Sequence, residues 1–257
     1  MKNKRIVLLA CKRESTNIVY NSINSEFGIY KVLIEEKEST VKFLKRRIKK
    51  LGIFSVVGQV LFQILISRPL KYFSYKRRLE IISENGLDIR EIPSEKIISV
   101  DSVNSEKTIN ILKDLQPNII IVHGTRIISK KALSSVECKF INIHEGITPK
   151  YRGVHGAYWA LANNDVYNSG VTVHFVDAGI DTGSIISQAV VKPVAKDNFA
   201  TYQLLQLSKG LELLKKAIED FFSGKLVSKK EISTDSKLWY HPTIWGYLFC
   251  RVFKKVK

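Results

Sequence analysis

The sequence lacks the residue patterns that mark several common function classes. Its 257 residues include three cysteines, Cys11, Cys138 and Cys250, and no C-x-x-C pair, so neither a disulfide framework nor a zinc site is indicated. No G-x-G-x-x-G follows the first apolar run and no P-loop occurs, which argues against dinucleotide-dependent oxidoreduction and P-loop chemistry. The uncharged run 51–67 falls short of the roughly 20 apolar residues that a spanning helix needs.

Acidic residues are scarce at both ends of the chain. Residues 1–80 contain 18 Lys and Arg against 6 Asp and Glu, residues 81–224 contain 15 against 16, and residues 225–257 contain 8 against 2. The central region is therefore nearly neutral, and the net charge of +17 lies at the ends. This asymmetry favours an attachment function that is separate from the chemistry.

Residues 41–80 are predicted to form a basic amphipathic insertion. Lys and Arg separate apolar residues at helical spacing, which are Val41, Leu44, Ile48 and Leu51. Residues 239–257 again combine aromatic and basic side chains, a mixture that suits the headgroup region of an anionic membrane. We therefore expect peripheral binding at the inner face of the membrane. A helix that covers the sheet, a solvated helix face, a homodimer interface and nucleic-acid binding are the alternatives, and nucleic acid is the least favoured of them.

Polar side chains follow two apolar runs with the composition of buried parallel strands. PNIIIVHG (117–124) and KFINIH (139–144) are rich in β-branched residues and end at Gly or at polar residues. Ligands of open α/β sheets bind beyond the carboxyl ends of the strands, where Asn142 and His144 lie on one face. The strand 170–176 then leads into a loop with two glycines and two carboxylates, Asp177 and Asp181, which is expected to wrap a ligand and deliver one acid inward.

Three motifs in this region resemble the formyltransferases that use 10-formyltetrahydrofolate. They read N-x-H, P-x-x-R-G-x-H and G-V-T-V-H-F-V-D-x-G-x-D-T-G, and they lie between residues 117 and 190. The resemblance implies a catalytic trio of Asn142, His144 and Asp181. It also implies two segments that hold the folate co-substrate, namely Arg126, Ile127 and Ile128 and the loop Val176, Asp177, Ala178, Gly179 and Ile180. The reaction requires no metal.

The reaction that the resemblance implies assigns a role to each member of the trio. An amine attacks the formyl carbon, an oxyanion develops, and a proton passes to the leaving folate nitrogen. Asn142 can donate amide hydrogens to the oxyanion. His144 can donate a second hydrogen bond or carry the proton, and Asp181 can set the tautomer of the imidazole and accept the amine proton.

Departures from the family pattern narrow the acceptor to an amino sugar on a nucleotide or a lipid carrier. The turn at 10–16 has no glycine, whereas glycinamide ribonucleotide enzymes are similar to one another in a Gly-rich turn there. Only 35 residues follow the predicted helix ending at Phe222, which weakens a methionyl-tRNA role. Both enzyme types remain alternatives. A catalytically silent membrane or protein adaptor is another.

The order of elements indicates an α/β fold, a Rossmann-like and mostly parallel sheet with flanking helices. Strands are predicted near 5–10, 29–34, 118–123, 140–143, 170–176 and 184–191. Helices are predicted near 15–26, 41–50, 53–67, 105–115, 153–162 and 199–221. We assign 1–222 to a catalytic domain and 223–257 to a basic aromatic tail. The apolar run at 6–10 is too short for a signal peptide, so we expect a cytoplasmic protein.

Overall fold

Two sheets organise the protein, which we describe from a computed structural model for residues 4–231 and 235–257. The strands are β1 Ile6–Cys11, β2 Lys31–Glu35, β3 Ile97–Val100, β4 Ile119–His123, β5 Lys139–His144, β6 Arg152–Gly153, β7 Gly170–Phe175, β8 Ile185–Val190 and β9 Leu238–Trp239. The larger sheet has the order β3-β2-β1-β4-β5-β7-β8, and β6 pairs with β9. The first five strands of that order run parallel, and β7 and β8 are antiparallel to their neighbours. The predicted mostly parallel α/β fold is confirmed.

Helices cover both faces of the larger sheet. The α-helices of the described residues are α1 Glu14–Phe27, α2 Thr40–Leu51, α3 Ile53–Phe62, α4 Arg68–Phe73, α5 Tyr75–Glu84, α6 Glu106–Leu115, α7 Lys130–Leu133, α8 Gly156–Ala162, α9 Phe199–Phe222 and α10 Ile244–Phe253. Leu8 of β1 packs in one core with α1 and α9, and Leu9 packs in a second core with α6 and α7. Successive side chains of a strand point to opposite faces, so these strands are buried on both sides, as the β-branched runs predict.

The long helix α9 starts at a capping box formed by Asn198 and Thr201. The Asn198 side chain accepts a hydrogen bond from the Ala200 amide, and the Asn198 amide donates to Thr201 Oγ1. Asp197 is buried and accepts from Arg77 Nε at 2.7 Å. Arg77 belongs to α5, so this ion pair ties the basic insertion to the core.

The prediction of a helix over 53–67 is wrong at its C-terminal end. The helix continues through a π-helical turn, Gln63–Ser67, into α4 and ends at Phe73. Arg68 ends the uncharged run, but a charged residue does not stop a helix, and Pro69 sits in the first turn of α4, where its missing N–H is tolerated. Ile53–Phe73 is long and apolar enough to cross a membrane by length and composition, with a mean hydropathy of 1.6.

The prediction of a helix over 153–162 is wrong at its start, because Arg152 and Gly153 form β6 and α8 begins at Gly156. Strand β6 pairs with Leu238 and Trp239 of the segment assigned to the tail. The division of the chain at residue 222 stays a prediction. The structure nevertheless shows contacts across it, through β9 and through Tyr247 of α10, which packs against α3 and α8.

Candidate active site

Asn142, His144 and Asp181 converge where β5 ends beside β7. The Nδ1 atom of His144 lies 3.3 Å from Asp181 Oδ2, and Nε2 of His174 lies 3.7 Å from Asp181 Oδ1. Asn142 is linked to the same group, because its Nδ2 lies 3.2 Å from His174 Nε2. Both imidazoles are buried, and the Asp181 side chain is 14% exposed. The structure therefore brings the three predicted catalytic residues together and adds His174.

The loop after β7 holds the Asp181 carboxylate by its backbone and by one hydrogen bond. Asp181 adopts a left-handed conformation with φ +51, which a non-glycine residue keeps only when its surroundings enforce it. Its Oδ2 accepts from the Gly153 amide at 2.9 Å, and Arg152 donates to the Ile180 carbonyl at 3.1 Å. A side chain at Gly183 would lie 1.7 Å from the Phe175 carbonyl oxygen, so only glycine fits. Strand β6 thus positions the carboxylate.

Both ring nitrogens of His144 face oxygen acceptors. Nε2 lies 2.7 Å from the Tyr151 carbonyl oxygen, and Nδ1 faces Asp181. A side chain at Gly146 would lie 2.2 Å from that carbonyl oxygen and 2.7 Å from His144 Nε2, so glycine permits the close approach. A neutral imidazole has one N–H group, and here Nε2 carries it and donates to the Tyr151 carbonyl oxygen. The other nitrogen, Nδ1, is unprotonated and can act as a base. Uptake of a proton would satisfy both acceptors.

The shifted pKa values of His144 and Asp181 are consistent with a neutral imidazole beside an ionised carboxylate. Burial lowers the pKa of His144, while the Asp181 carboxylate and the Tyr151 carbonyl oppose the shift. Burial alone would raise the pKa of Asp181, but His144, His174 and the Gly153 amide outweigh it and lower this pKa to about 2. At neutral pH the site therefore holds an ionised carboxylate beside an imidazole that is neutral at rest.

The pH dependence of stability should reveal the ionised Asp181. Its pKa is about 2 in the folded protein against an ordinary 3.8, so the unfolded chain binds the proton more readily. The stabilisation is complete above about pH 4, is lost as the pH falls through about 2, and is on the order of 2 kcal/mol. Urea unfolding of the wild type and Asp181→Asn should give a difference in unfolding free energy that is constant above about pH 7 and shrinks between about pH 4 and pH 2. A difference that persists at the lowest pH would contradict the ionised carboxylate.

His174 is a candidate orienting residue that the predicted trio does not include. Its Nδ1 donates to the Phe175 carbonyl at 2.7 Å, which leaves Nε2 to accept from the Asn142 amide. One amide hydrogen of Asn142 is thereby held, and the other is left for a developing oxyanion. The sequence feature that could have identified this residue is the His of G-V-T-V-H-F-V-D, which lies two positions before the chain leaves the sheet.

The two segments predicted to hold the folate border one apolar cluster. Ile128 is buried in the core that contains Val122, and Val176 packs against the same core. Arg126 is largely committed elsewhere, since its amide donates to the buried Glu35 carboxylate at 2.9 Å. Within residues 4–231 and 235–257, no hydrogen bond uses the amides of Ile127 or Ile128. An apolar floor beside two available amides fits a flat heteroaromatic ring.

The loop from Val176 to Ile180 is held in a turn by its own side chains. Asp177 Oδ1 accepts from the Gly179 amide at 3.0 Å and from Thr182 Oγ1 at 2.7 Å. Ala178 and Gly179 are exposed at its tip, and the Ile180 carbonyl is bound by Arg152. The loop therefore presents backbone rather than charged side chains beside Asp181.

Several charged residues near the site have fixed partners. Lys150 contacts Asp165 at 2.9 Å and Asp235 at 3.0 Å, so two carboxylates already hold its ammonium group. Glu145 follows His144, and burial raises its pKa to about 7, against a hydrogen bond from Gln203 and the charge of Arg13. Sequence reasoning did not single out this carboxyl as functional. Among the described residues, no group of three His, Cys, Asp or Glu is placed to hold a metal.

Two clefts adjoin the segment that supports the site rather than the trio itself. One has a volume of about 420 Å³ and is lined by Lys150, Tyr151 and Trp239 among others. The second, of about 310 Å³, lies between α3 and residues 237–243. The candidate active site is therefore identified by the contacts among the polar side chains of Asn142, His144 and Asp181, and not by the size of a cleft.

Comparisons with known proteins connect the chain to one family. The chain matches the family described as Formyl transferase over residues 69–218. Methionyl-tRNA formyltransferase from Halothermothrix orenii is 34% identical over 146 residues, which cover 56% of this chain and 45% of that protein. The chain spans about half the length of the curated relatives it matches.

Solved structures share the fold at low sequence identity. Phosphoribosylglycinamide formyltransferase from Streptococcus pneumoniae TIGR4 has a TM-score of 0.55 and 21% identity, covering 86% of this chain and 99% of that one. The N-formyltransferase from Helicobacter canadensis, in complex with folinic acid and dTDP-3-aminofucose, has a TM-score of 0.54 and 18% identity. The match covers 92% of this chain and 71% of that one. These similarities show the architecture.

Proposed function

Because this chain belongs to the formyl transferase family, we propose that it transfers a formyl group from 10-formyltetrahydrofolate to a primary amine. The acceptor in this proposal is an amino sugar on a nucleotide or lipid carrier. The observation that carries the proposal is the arrangement of Asn142, His144 and Asp181, in which a hydrogen-bond donor, a base and a carboxylate meet at one strand end. Formyl transfer uses each of these groups.

The proposed mechanism follows the positions of the side chains. The acceptor nitrogen forms a bond to the formyl carbon, and the free Asn142 amide hydrogen stabilises the oxyanion that develops. His144, neutral at rest, takes the proton from the attacking amine, and the imidazolium then donates to Tyr151 and Asp181. The bond to the folate nitrogen breaks, and the same proton passes to that nitrogen. The products are the formamide and tetrahydrofolate.

Two observations support the folate as formyl donor. The amides of Ile127 and Ile128 border the apolar cluster that Val176 also contacts, so a pterin ring would find donors at its edge and apolar side chains beneath it. The Helicobacter canadensis structure, which shares the fold, contains folinic acid. In this proposal the Val176–Ile180 loop covers the ring.

The choice of an amino-sugar acceptor rests on the turn 10–16 and on that same structural neighbour. Without glycine, the turn Ala10–Thr16 offers a poorer backbone cradle for the phosphate of glycinamide ribonucleotide. The Helicobacter canadensis protein is in complex with dTDP-3-aminofucose and folinic acid. We place the proposed enzyme in the cytoplasm with a peripheral position at the inner membrane face. Methionyl-tRNA remains the second acceptor, since curated relatives bear that name.

A panel of acceptors tests the proposal. Purified protein and 10-formyltetrahydrofolate would be incubated with nucleotide-linked amino sugars, a polyprenyl-linked amino sugar, methionyl-tRNA and glycinamide ribonucleotide, and formamide formation followed by mass spectrometry. We expect turnover with an amino sugar. Asn142→Ala and His144→Ala should each lower kcat by about 10²–10³-fold while folinic acid binding persists in calorimetry. Folate binding without turnover on any acceptor would instead identify a silent adaptor.

A further inference from the structure

Two neighbouring helices leave a long apolar surface exposed. They are the continuous helix Ile53–Phe73 and α10, Ile244–Phe253. Of the twenty-seven large apolar side chains exposed in the described residues, fourteen belong to these two helices. Soluble monomers rarely expose contiguous apolar patches larger than a few hundred Å² without a binding role. We call this surface, residues 53–73 and 244–253, the two-helix face.

The helix Ile53–Phe73 divides cleanly into a buried and an exposed side. Val56, Gln59 and Phe62 are buried at helical spacing against the protein. Val57, Ile64 and Leu65 point the other way and are 47%, 47% and 55% exposed. Its outer side is therefore as apolar as its inner side, whereas an ordinary surface helix carries polar residues there.

Helix α10 extends the same surface. The rings of Phe54 and Trp245 stack at 4.3 Å, and a side chain at Gly58 would lie 2.3 Å from the Trp245 ring, so glycine allows the two helices to approach closely. On the outer side of α10, Leu248 is 46% exposed and Val252 is 67% exposed. The exposed side chains of the two helices thus form one surface.

Basic residues surround the two-helix face. Residues 40–76 contain nine Lys and Arg and no acidic residue, and residues 239–257 contain four Lys and Arg and no acidic residue. Helix α2, which contacts α3, has no buried residue in the described structure and carries an apolar stripe between its lysines. Its only ion pair within the described residues joins Arg46 to Glu38. An apolar surface inside a cationic border is complementary to an anionic bilayer.

We propose that the two-helix face docks on an anionic phospholipid bilayer, with both helices lying in the plane of the interface. The inner side of the long helix is held by the core, since the Phe62 ring lies 4.9 Å from Phe199 and 5.1 Å from Tyr247, so the helix cannot cross the membrane without losing these contacts. A second copy of this chain is a less suitable partner for the two-helix face, because a symmetric interface would bring two cationic borders together.

Docking would also place the candidate active site close to the bilayer. Helix α10 begins at Ile244, five residues after β9, and β9 pairs with the strand that holds Asp181. His241, between them, contacts His155 at 2.9 Å, and its carbonyl accepts from Gln59 of the long helix. A lipid-linked acceptor would then meet the site at the membrane, a consequence that rests on the proposed function, whereas docking itself does not.

Vesicle flotation tests the inference without any activity assay. The full chain would be mixed with phosphatidylcholine vesicles with or without phosphatidylglycerol. We expect flotation only with the anionic vesicles and release at high salt. Leu65→Ser combined with Val252→Ser should weaken binding by at least about tenfold. Lys45→Gln combined with Lys49→Gln should weaken it by about fivefold for each charge removed.

A matched variant separates the two-helix face from general loss of surface hydrophobicity. Ile89 and Val227 are exposed and lie outside both helices, so Ile89→Ser with Val227→Ser should bind as the wild type does. Failure of the wild type to float with either vesicle would overturn the inference, as would equal binding by the Leu65/Val252 variant. A dimer in light scattering that the Leu65/Val252 variant abolishes, without flotation, would identify a second copy. Resistance to alkaline carbonate extraction from membranes would overturn the in-plane position.

Discussion

Replacement of Asp181 with Asn is expected to lower kcat for formyl transfer by about 10²–10⁴-fold, with little change in folinic acid binding. The substitution keeps the shape of the side chain, and a carbonyl oxygen can still accept from the Gly153 amide. It removes the charge that faces His144 Nδ1 at 3.3 Å. The imidazolium formed when His144 takes the amine proton then loses the carboxylate that stabilises it. Single-turnover kinetics would measure the chemical step directly.

The matched control for Asp181→Asn is Asp114→Asn, which removes an exposed carboxylate on α6. This control should leave kcat and folate binding unchanged. The acid side of the pH–rate profile should also differ, since without Asp181 the pKa of His144 falls further and less of its imidazolium forms. A kcat of Asp181→Asn within a few-fold of the wild type would remove Asp181 from the proposed proton transfer.

Replacement of Trp239 with Ala should destabilise the fold by about 3 kcal/mol and reduce formyl transfer at the same time. The Trp239 ring stacks with Trp159 at 4.7 Å and with Tyr151 at 5.8 Å, and its Nε1 donates to the Lys150 carbonyl at 3.2 Å. Its own carbonyl accepts from the Val154 amide. Loss of the ring would loosen β6, whose Gly153 amide holds Asp181.

Trp245→Ala provides the comparison, because Trp245 is 38% exposed and packs on Phe54 in the two-helix face. We expect a smaller loss of stability there and unchanged transfer to a soluble acceptor. Urea unfolding and steady-state kinetics would be measured for both variants. Equal destabilisation with full activity in Trp239→Ala would show that β9 does not support the site. Truncation before residue 239 would remove both tryptophans and is therefore a poorer experiment.

The parallel core of the fold could be predicted because its strands are buried on both faces and its sequence runs are almost purely apolar. Ile6–Cys11, Ile119–His123 and Lys139–His144 all have this composition. Strand β3 could not be predicted in the same way, since Ile97–Val100 is a short edge strand that is largely part-exposed. Strands β6 and β9 have two residues each and exist only because they pair with one another. No local pattern contains that information.

The family resemblance could place Asn142, His144 and Asp181 in one predicted site because they lie in the strand-and-loop units of β5 and β7, which pair in the sheet. Their partners could not be predicted, since they depend on tertiary contacts. One such contact is the hydrogen bond from the Gly153 amide to Asp181. Another is the hydrogen bond from the Arg126 amide to the Glu35 carboxylate, which joins positions 91 residues apart. The exposed side of Ile53–Phe73 also required the structure, because sequence alone does not distinguish a helix that covers the sheet from one that remains bare.

The pairing of β6 with β9 has a consequence for the order of folding. Arg152 and Leu238 are 86 positions apart and their ladder has two residue pairs, whereas every strand pair of the large sheet has at least four, so the β6–β9 contact gains little for the chain entropy that it costs. The sheet can form while Gly153 is still unrestrained, and its amide reaches Asp181 in the native geometry only after β9 arrives. During refolding, secondary structure should therefore return before enzymatic competence. On a ribosome, the site would mature only after synthesis has passed residue 239.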